Sequence, residues 1–184
     1  MPRTSVPGRD RILTAALALA ARRGPSAVTL DAVAAEADVS KGGLLYHFRS
    51  KDVLLRELVR TVITRCEESV QALAAADPQP SGRSARAYVD AMAADTDAPD
   101  LQLALFGALL DDRELVPAWR ESADRWADED RDDPDVDTVD ATVARLAADG
   151  LWLATMLGLY RLDGAHREAV VARMRRLTEG GASA

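Results

Sequence analysis

Residues 29–51 read TLDAVAAEADVSKGGLLYHFRSK, and this stretch decides the fold. Thr29 is an N-cap residue, and Asp31 in the first turn suits the positive end of a helix. Leu30, Val33, Ala34 and Ala37 then fall on one face at helical spacing. Asp38-Val39 makes a tight turn. Ser40 caps a second short helix running to about His47, which Phe48-Arg49-Ser50 interrupts, and Ser50 caps a long helix from Lys51 to about Ala76. Upstream, Ile12, Leu13, Ala16, Leu17 and Ala20 line one side of a helix over Arg9 to Arg23, which Gly24-Pro25 ends. Two short helices joined by a tight turn and buttressed by a preceding helix make a helix-turn-helix, whose second helix lies in the DNA major groove.

The side chains suit that task. The helix start at Ser40 and Lys41 offers free N–H groups and a positive dipole end to phosphate. Gly42 and Gly43 remove bulk, so backbone can approach DNA closely. Tyr46 and His47 end the helix with polar-tipped rings that can donate to phosphate oxygens, Lys51 opens the next helix, and Thr29 stands on the opposite flank. Phe48 reads as core, pinning the turn against the first and fourth helices.

From Ile12 to Leu58 the chain resembles the DNA-binding domain of the tetracycline-repressor (TetR) family. The resemblance rests on the apolar first helix ending at Gly24, the Thr29 helix start, Val39-Ser40-Lys41-Gly42, Leu44, Tyr46-His47-Phe48, and Ser50-Lys51 followed by Leu54-Leu55. It covers about the first third of the chain. It implies an all-α fold of about nine helices, a homodimer, and a C-terminal domain whose ligand alters the separation of two DNA-reading heads. It also implies phosphate or groove contacts from Thr29, Lys41, Tyr46, His47 and Lys51, with Gly42, Gly43 and Leu44 on the groove-facing helix. Two positions depart from the family pattern. Asp38 stands where a glycine is usual, and Leu45 where many members have a tyrosine. Asp accepts the left-handed conformation better than most residues.

Composition agrees with a helical chain of one or two domains. The 184 residues are 48% hydrophobic and 4% aromatic, rich in alanine, with 29% charged. No stretch approaches the roughly 20 apolar residues of a membrane span. The run Ile12 to Ala21 lacks a signal-peptide layout, so no membrane partner is expected. Cys66 is the one cysteine, which excludes an intrachain disulfide or a cysteine metal cluster and suits a reducing cytoplasm. The net charge of −7 is polarised: residues 1–65 hold eleven Lys/Arg and six Asp/Glu (11 − 6 = +5), and the remainder holds twelve and twenty-four (12 − 24 = −12). The basic end can face a polyanion that the acidic remainder avoids.

Asp77-Pro78-Gln79-Pro80-Ser81-Gly82 is the clearest linker. Beyond it the periodicity predicts helices at about 84–95, 99–112, 115–130, 137–161 and 164–178, with no strand pattern and no repeat. The expected organisation is a three-helix helix-turn-helix domain at 1–51 and a helical effector-binding and dimerisation domain at 52–184. Met92, Phe106, Leu109, Leu110, Trp119, Trp126, Trp152 and Met156 are the bulky apolar residues of the second domain and candidates to line an aromatic-walled pocket for a hydrophobic or aromatic small molecule. Val143, Leu146, Gly150, Leu153 and Leu157 make one stripe, with Val139 and Gly158 beside it, and Val170, Met174 and Leu177 make another. Together they are candidates for a four-helix dimer interface, although one stripe must also pack internally.

No catalytic set emerges, so no enzyme, cofactor or metal is expected. The acidic run 128–137 lacks the glycine and terminal glutamate of a calcium loop, since Asp133 and Val139 stand at those positions, and it reads as a solvated loop capping the next helix. His166 has no obvious nucleophile or metal partner. The resulting expectation is a cytoplasmic transcriptional regulator that grips a palindromic operator as a homodimer and is released by a small-molecule effector. Two rivals are an enzyme built on the helical domain and an interaction protein whose basic domain has lost productive DNA binding.

Overall fold

The computed structural model describes residues 8–94, 102, 106–107 and 116–179. Among the described residues the regular structure is helical: α1 (Gly8–Arg23), a 3₁₀ turn (Pro25–Ala27), α2 (Leu30–Glu36), α3 (Lys41–His47), α4 (Lys51–Ala76), α5 (Arg83–Ala93), α6 (Val116–Arg131), α7 (Thr138–Leu157) and α8 (Gly164–Thr178). The helix expected at 99–112 lies outside the described residues apart from three helical positions. The described residues form two compact units, the first holding 8–63 with 102, 106–107 and 116, the second holding 64–94 and 117–179.

In the first unit α1, α2 and α3 pack on one another. Ile12, Val28, Val33, Leu44, Phe48, Leu54 and Leu58 are fully buried. Burial of a large apolar side chain stabilises by about 1.5–3 kcal/mol, so this small core suffices to fix the short helices α2 and α3, which are too brief to persist alone. Arg9 places its guanidinium carbon 5.7 Å from the centre of the Phe48 ring and pairs with Glu57 on α4, which holds the start of α1. Phe48 is core, as its place in the turn suggests.

In the second unit α5 packs against α7 and α8, and α7 against α8. Ala144, Ala148 and Leu151 of α7 meet Tyr88, Val89 and Ala93 of α5, Val70 of α4, Trp126 of α6 and Met174 of α8. Alanines on α7 let the helix axes approach closely. α7 stops at Leu157 rather than 161: Gly158 adopts φ 64°, and the amides of Gly158 and Leu159 close back on the Thr155 and Ala154 carbonyls.

The linker is held at several points. Arg86 is buried and donates to the Asp77 carboxylate (2.8 Å), the Gln79 carbonyl (2.8 Å) and the Thr178 carbonyl (3.3 Å). The Gly82 amide donates to Asp133 (2.8 Å). Other carboxylates of the acidic run also work within the fold. Asp137 caps α7 by accepting from Val139 and Asp140, and Asp130 is buried in a bridge to Arg145. That last pairing corrects the expectation of a wholly solvated run.

Candidate DNA-reading and sensing sites

The turn between α2 and α3 is a Schellman closure. The Val39 amide reaches the Ala34 carbonyl (3.0 Å) and the Asp38 amide the Ala35 carbonyl (3.2 Å). This geometry requires a left-handed residue at position 38, and Asp38 adopts φ 51°. Thr29 Oγ1 accepts from the Ala32 amide at 3.2 Å and caps α2. Ser40 Oγ accepts from the Gly43 amide at 3.0 Å and caps α3. A methyl at Gly43 would come within 3.3 Å of that same oxygen, so the missing side chain protects the cap. Ser50 in turn caps α4 through the Val53 amide at 3.2 Å.

Around α3, the side chains of Thr29, Ser40, Lys41, Tyr46, His47 and Lys51 are exposed, as is Gly42, and Gly43 is half-buried. Tyr46 is 84% exposed, an unusual state for a tyrosine, and its ring meets the His47 ring edge-on at 5.2 Å. Lys41 Nζ lies 2.9 Å from the Asp31 carboxylate on α2. Both partners are exposed, and such a pair is worth only about 0–1 kcal/mol, so phosphate can replace the carboxylate cheaply.

Leu44 requires a correction. It was expected on the groove-facing side, yet it is 0% exposed. Leu44 and Phe48 stand four residues apart and share the inward side of α3, so Leu44 holds the helix down from within the core instead of standing on its surface. Leu45, 37% exposed, takes the outward position beside it.

In the second unit the aromatic residues fall into different surroundings. Trp126 is buried, with Tyr88 at 5.0 Å and Trp119 at 6.4 Å between ring centres, both edge-on. Met92 is half-buried against this cluster. Trp152 is half-buried, and Met156 is buried but lies outside the cluster. Phe106, which falls in the first unit, is half-buried in a helical position, and Leu109 and Leu110 lie outside the described residues. Among the described residues the structure gathers Trp119, Trp126 and Met92.

The two apolar stripes also separate. Val143, Leu146, Gly150 and Leu157 on α7 are exposed, with Leu146 at 65% and Val139 at 68%, and Leu153 is half-buried. On α8, by contrast, Met174 is a core residue and Val170 and Leu177 pack against that core. The α8 stripe is thus the one that packs internally.

A polar cluster beside the aromatics escaped the sequence reading. Arg145 donates from Nε and Nη2 to both oxygens of Asp130 (2.8 and 3.0 Å), and from Nη2 also to Ser84 (3.0 Å) and the Trp126 carbonyl (3.2 Å). Its guanidinium carbon lies 5.1 Å from the Tyr88 ring centre. The Tyr88 hydroxyl donates to Asp149 at 2.5 Å. Burial raises the Asp149 carboxyl above the usual carboxylate range, against the opposing effects of the Tyr88 hydrogen bond and Arg145. Burial, with Glu67 and Asp149 nearby, pushes the Cys66 thiol up to about 11. The signal that could have found this cluster is the i, i+4 pair Arg145 and Asp149 flanking the alanine face of α7.

A capped helix-turn-helix with an exposed Lys-Tyr-His-Lys array, followed by a separate helical unit, defines a DNA-binding transcriptional regulator. Residues 12–58 match the family described as bacterial regulatory proteins, tetR family, and residues 82–179 match the tetracyclin repressor-like C-terminal domain. The chain belongs to the TetR family. Among solved structures it is similar to the multidrug binding protein EbrR complexed with malachite green, at 28% identity over 92% of this chain and 97% of that one, TM-score 0.64. EbrR complexed with ethidium aligns at 26% identity over 94% and 99%, TM-score 0.65. A TetR-family member from Streptomyces coelicolor A3 aligns at 28% identity over 94% and 99%, TM-score 0.60. No curated protein matches the chain.

Proposed function

We propose that the chain is a homodimeric cytoplasmic repressor, not an enzyme, that leaves a palindromic operator when a hydrophobic or aromatic small molecule binds its second domain. Residues 1–51 read DNA, and 52–184 bind the effector and the second subunit. The observation that carries the reading is the array around α3, where Lys41, Tyr46, His47 and Lys51 are exposed while Leu44 and Phe48 anchor the helix from beneath. Two copies would set two such helices in successive major grooves roughly 34–36 Å apart. The open stripe of α7 supports a second copy there, since large apolar side chains on one helix face favour a covering partner. The edge-packed Tyr88, Trp126 and Trp119, together with the dyes bound by EbrR, support an aromatic effector. That effector acts only through its difference in affinity between the operator-competent and released states.

The test is selection of random-sequence DNA by the purified protein at two salt concentrations. Enrichment of a palindrome, weakened by salt and lost in the Lys41→Ala/Tyr46→Ala double variant, is the expected result. Absence of enrichment at either salt would reject the DNA-reading role and favour an interaction protein.

A further inference from the structure

We propose that α3 reads its operator through the C5-methyl group of thymine, with Leu45 packing on the methyl and Gly42 as the gap that lets the helix come close enough; this rests on the DNA-reading role above. The major groove distinguishes base pairs by its hydrogen-bonding atoms and by the thymine methyl. Readout by hydrogen bonds typically uses Arg or Lys on guanine, Asn or Gln on adenine, and Asp or Glu on cytosine. Helix α3 reads KGGLLYH and holds no Arg, Asn, Gln, Asp or Glu. Its lysine, Lys41, is drawn to Asp31 of α2 at the start of the helix. His47 is turned toward the start of α1, where a methyl on Gly8 would lie 3.3 Å from its Nε2.

The outward face of the helix is left to Gly42, Leu45 and Tyr46. Leu44 is fully buried and marks the inward side. At about 100° per residue, Gly42 and Tyr46 stand nearly opposite Leu44. Leu45 is exposed and lies close to one turn beyond Gly42. A helical side chain leans toward the N-terminus of its helix, over the preceding turn. Leu45 therefore leans over Lys41 and Gly42, and Gly42 has no side chain to cover it. Tyr46 carries a lone hydroxyl at the end of its ring, without the fork that identifies a base by two hydrogen bonds. The apolar contact that this face offers a base edge is Leu45, and its match in the groove is the thymine methyl.

The two glycines differ in what they do for the fold. Gly43 protects the Ser40 cap, because an added methyl would crowd that oxygen at 3.3 Å. A methyl on Gly42 would meet the same oxygen at 4.0 Å, an ordinary contact. Packing among the described residues thus leaves room for a side chain at 42, and glycine costs a helix stability relative to alanine. The bare position finds its use outside the protein, where it lets α3 settle deep enough for Leu45 to reach the base edge.

The experiment starts from the duplex that wild type enriches. Each thymine is replaced in turn by deoxyuridine, symmetrically in both half-sites, which removes the methyl and keeps every hydrogen-bonding atom. Fluorescence anisotropy then compares wild type, Leu45→Ala and Gly42→Ala on each duplex. In wild type, one position per half-site should lose about fourfold for its methyl, or roughly fifteenfold for the symmetric pair, the worth of burying one such carbon. Leu45→Ala should bind the thymine and deoxyuridine duplexes alike, whereas a leucine that only supported the helix would weaken both equally and leave the methyl effect in place. Gly42→Ala should weaken operator binding by about tenfold or more, as an overpacked contact does, while its thermal midpoint stays the same or rises. An enriched duplex without a deoxyuridine effect at any position overturns methyl readout and leaves DNA reading standing. So does an equal effect in wild type and Leu45→Ala, with both folded by circular dichroism. Full operator affinity in Gly42→Ala overturns the part given to the gap. Failure of wild type to enrich any sequence overturns the DNA-reading role and this proposal with it.

Discussion

Lys41 shows how one residue can serve the fold and the function. Its bridge to Asp31 joins the starts of α2 and α3 and holds the ammonium near the surface where phosphate would bind. If Lys41 contacts phosphate as proposed, Asp31 competes with DNA for that charge and also presents a negative group to the phosphate backbone. Asp31→Asn should tighten DNA binding by a few-fold at low salt, about 1 kcal/mol or less for an exposed pair, and the gain should shrink as salt rises. The same change removes a favourable charge from the first turn of α2, at roughly 0.3–1 kcal/mol of stability. Fluorescence anisotropy on one operator fragment at two salt concentrations checks the first effect; unchanged or weaker affinity at low salt would reject the competition. Asp38 was legible in the sequence because the turn geometry demands a left-handed residue and Asp tolerates it. Leu44 was not legible as core, because a seven-residue helix offers too few positions for periodicity to distinguish inward from outward leucines.

At the scale of elements, the caps were readable and the charged interior was not. Thr29, Ser40 and Ser50, read as caps in the sequence, cap helices in the structure, as does Asp137 of the acidic run, because a short polar side chain ahead of an apolar run satisfies the same free amides wherever it occurs. Arg86 gave no such sign, since its partners lie in the linker and at the end of α8, remote in sequence. That lock yields two predictions. Gly82 adopts φ 69°, and an added methyl would lie 1.9 Å from the Thr178 carbonyl oxygen. Gly158 adopts φ 64° with open space around it. Gly82→Ala should therefore destabilise by roughly 3 kcal/mol or more, against about 1–2 kcal/mol for Gly158→Ala, which meets the left-handed penalty alone. Denaturant titrations of both variants check this; equal losses would mean that the lock yields easily. The second prediction concerns acid. The Arg86 hydrogen bond holds the Asp77 carboxyl below its ordinary 3.8. Asp77 thus stabilises the fold above the unfolded value, and the contribution fades as pH falls through the lower, folded one. Asp77→Asn should be less stable than wild type at neutral pH, and the difference should narrow below pH 3.8. A pH series of thermal midpoints in which the gap stays constant would reject this role.

For the whole molecule the unequal charge and the open α7 stripe belong to one argument. A basic first third of +5 and an acidic remainder of −12 let the chain meet DNA at one end while the rest stays away from it. A single small head makes few phosphate contacts, so useful affinity needs two heads linked in one particle. For the proposed dimer, the open apolar stripe of α7 is the candidate face among the described residues, because the α8 stripe is already committed to the core. Leu146 stands within the open stripe, and Leu146→Glu would place a charge at its centre without disturbing the buried alanine face. Sedimentation at micromolar concentration should show a dimer for wild type and a monomer for the variant. Linkage of two binding events typically adds roughly 10²–10⁴-fold in affinity, so the variant's operator binding should fall by a factor of that order. Its salt slope should also drop to about half, because a lone head releases half the counterions. A Leu146→Glu protein that remains dimeric would place the subunit contact elsewhere. A monomer that keeps full operator affinity would mean that one head reads DNA unaided and that dimerisation serves another purpose.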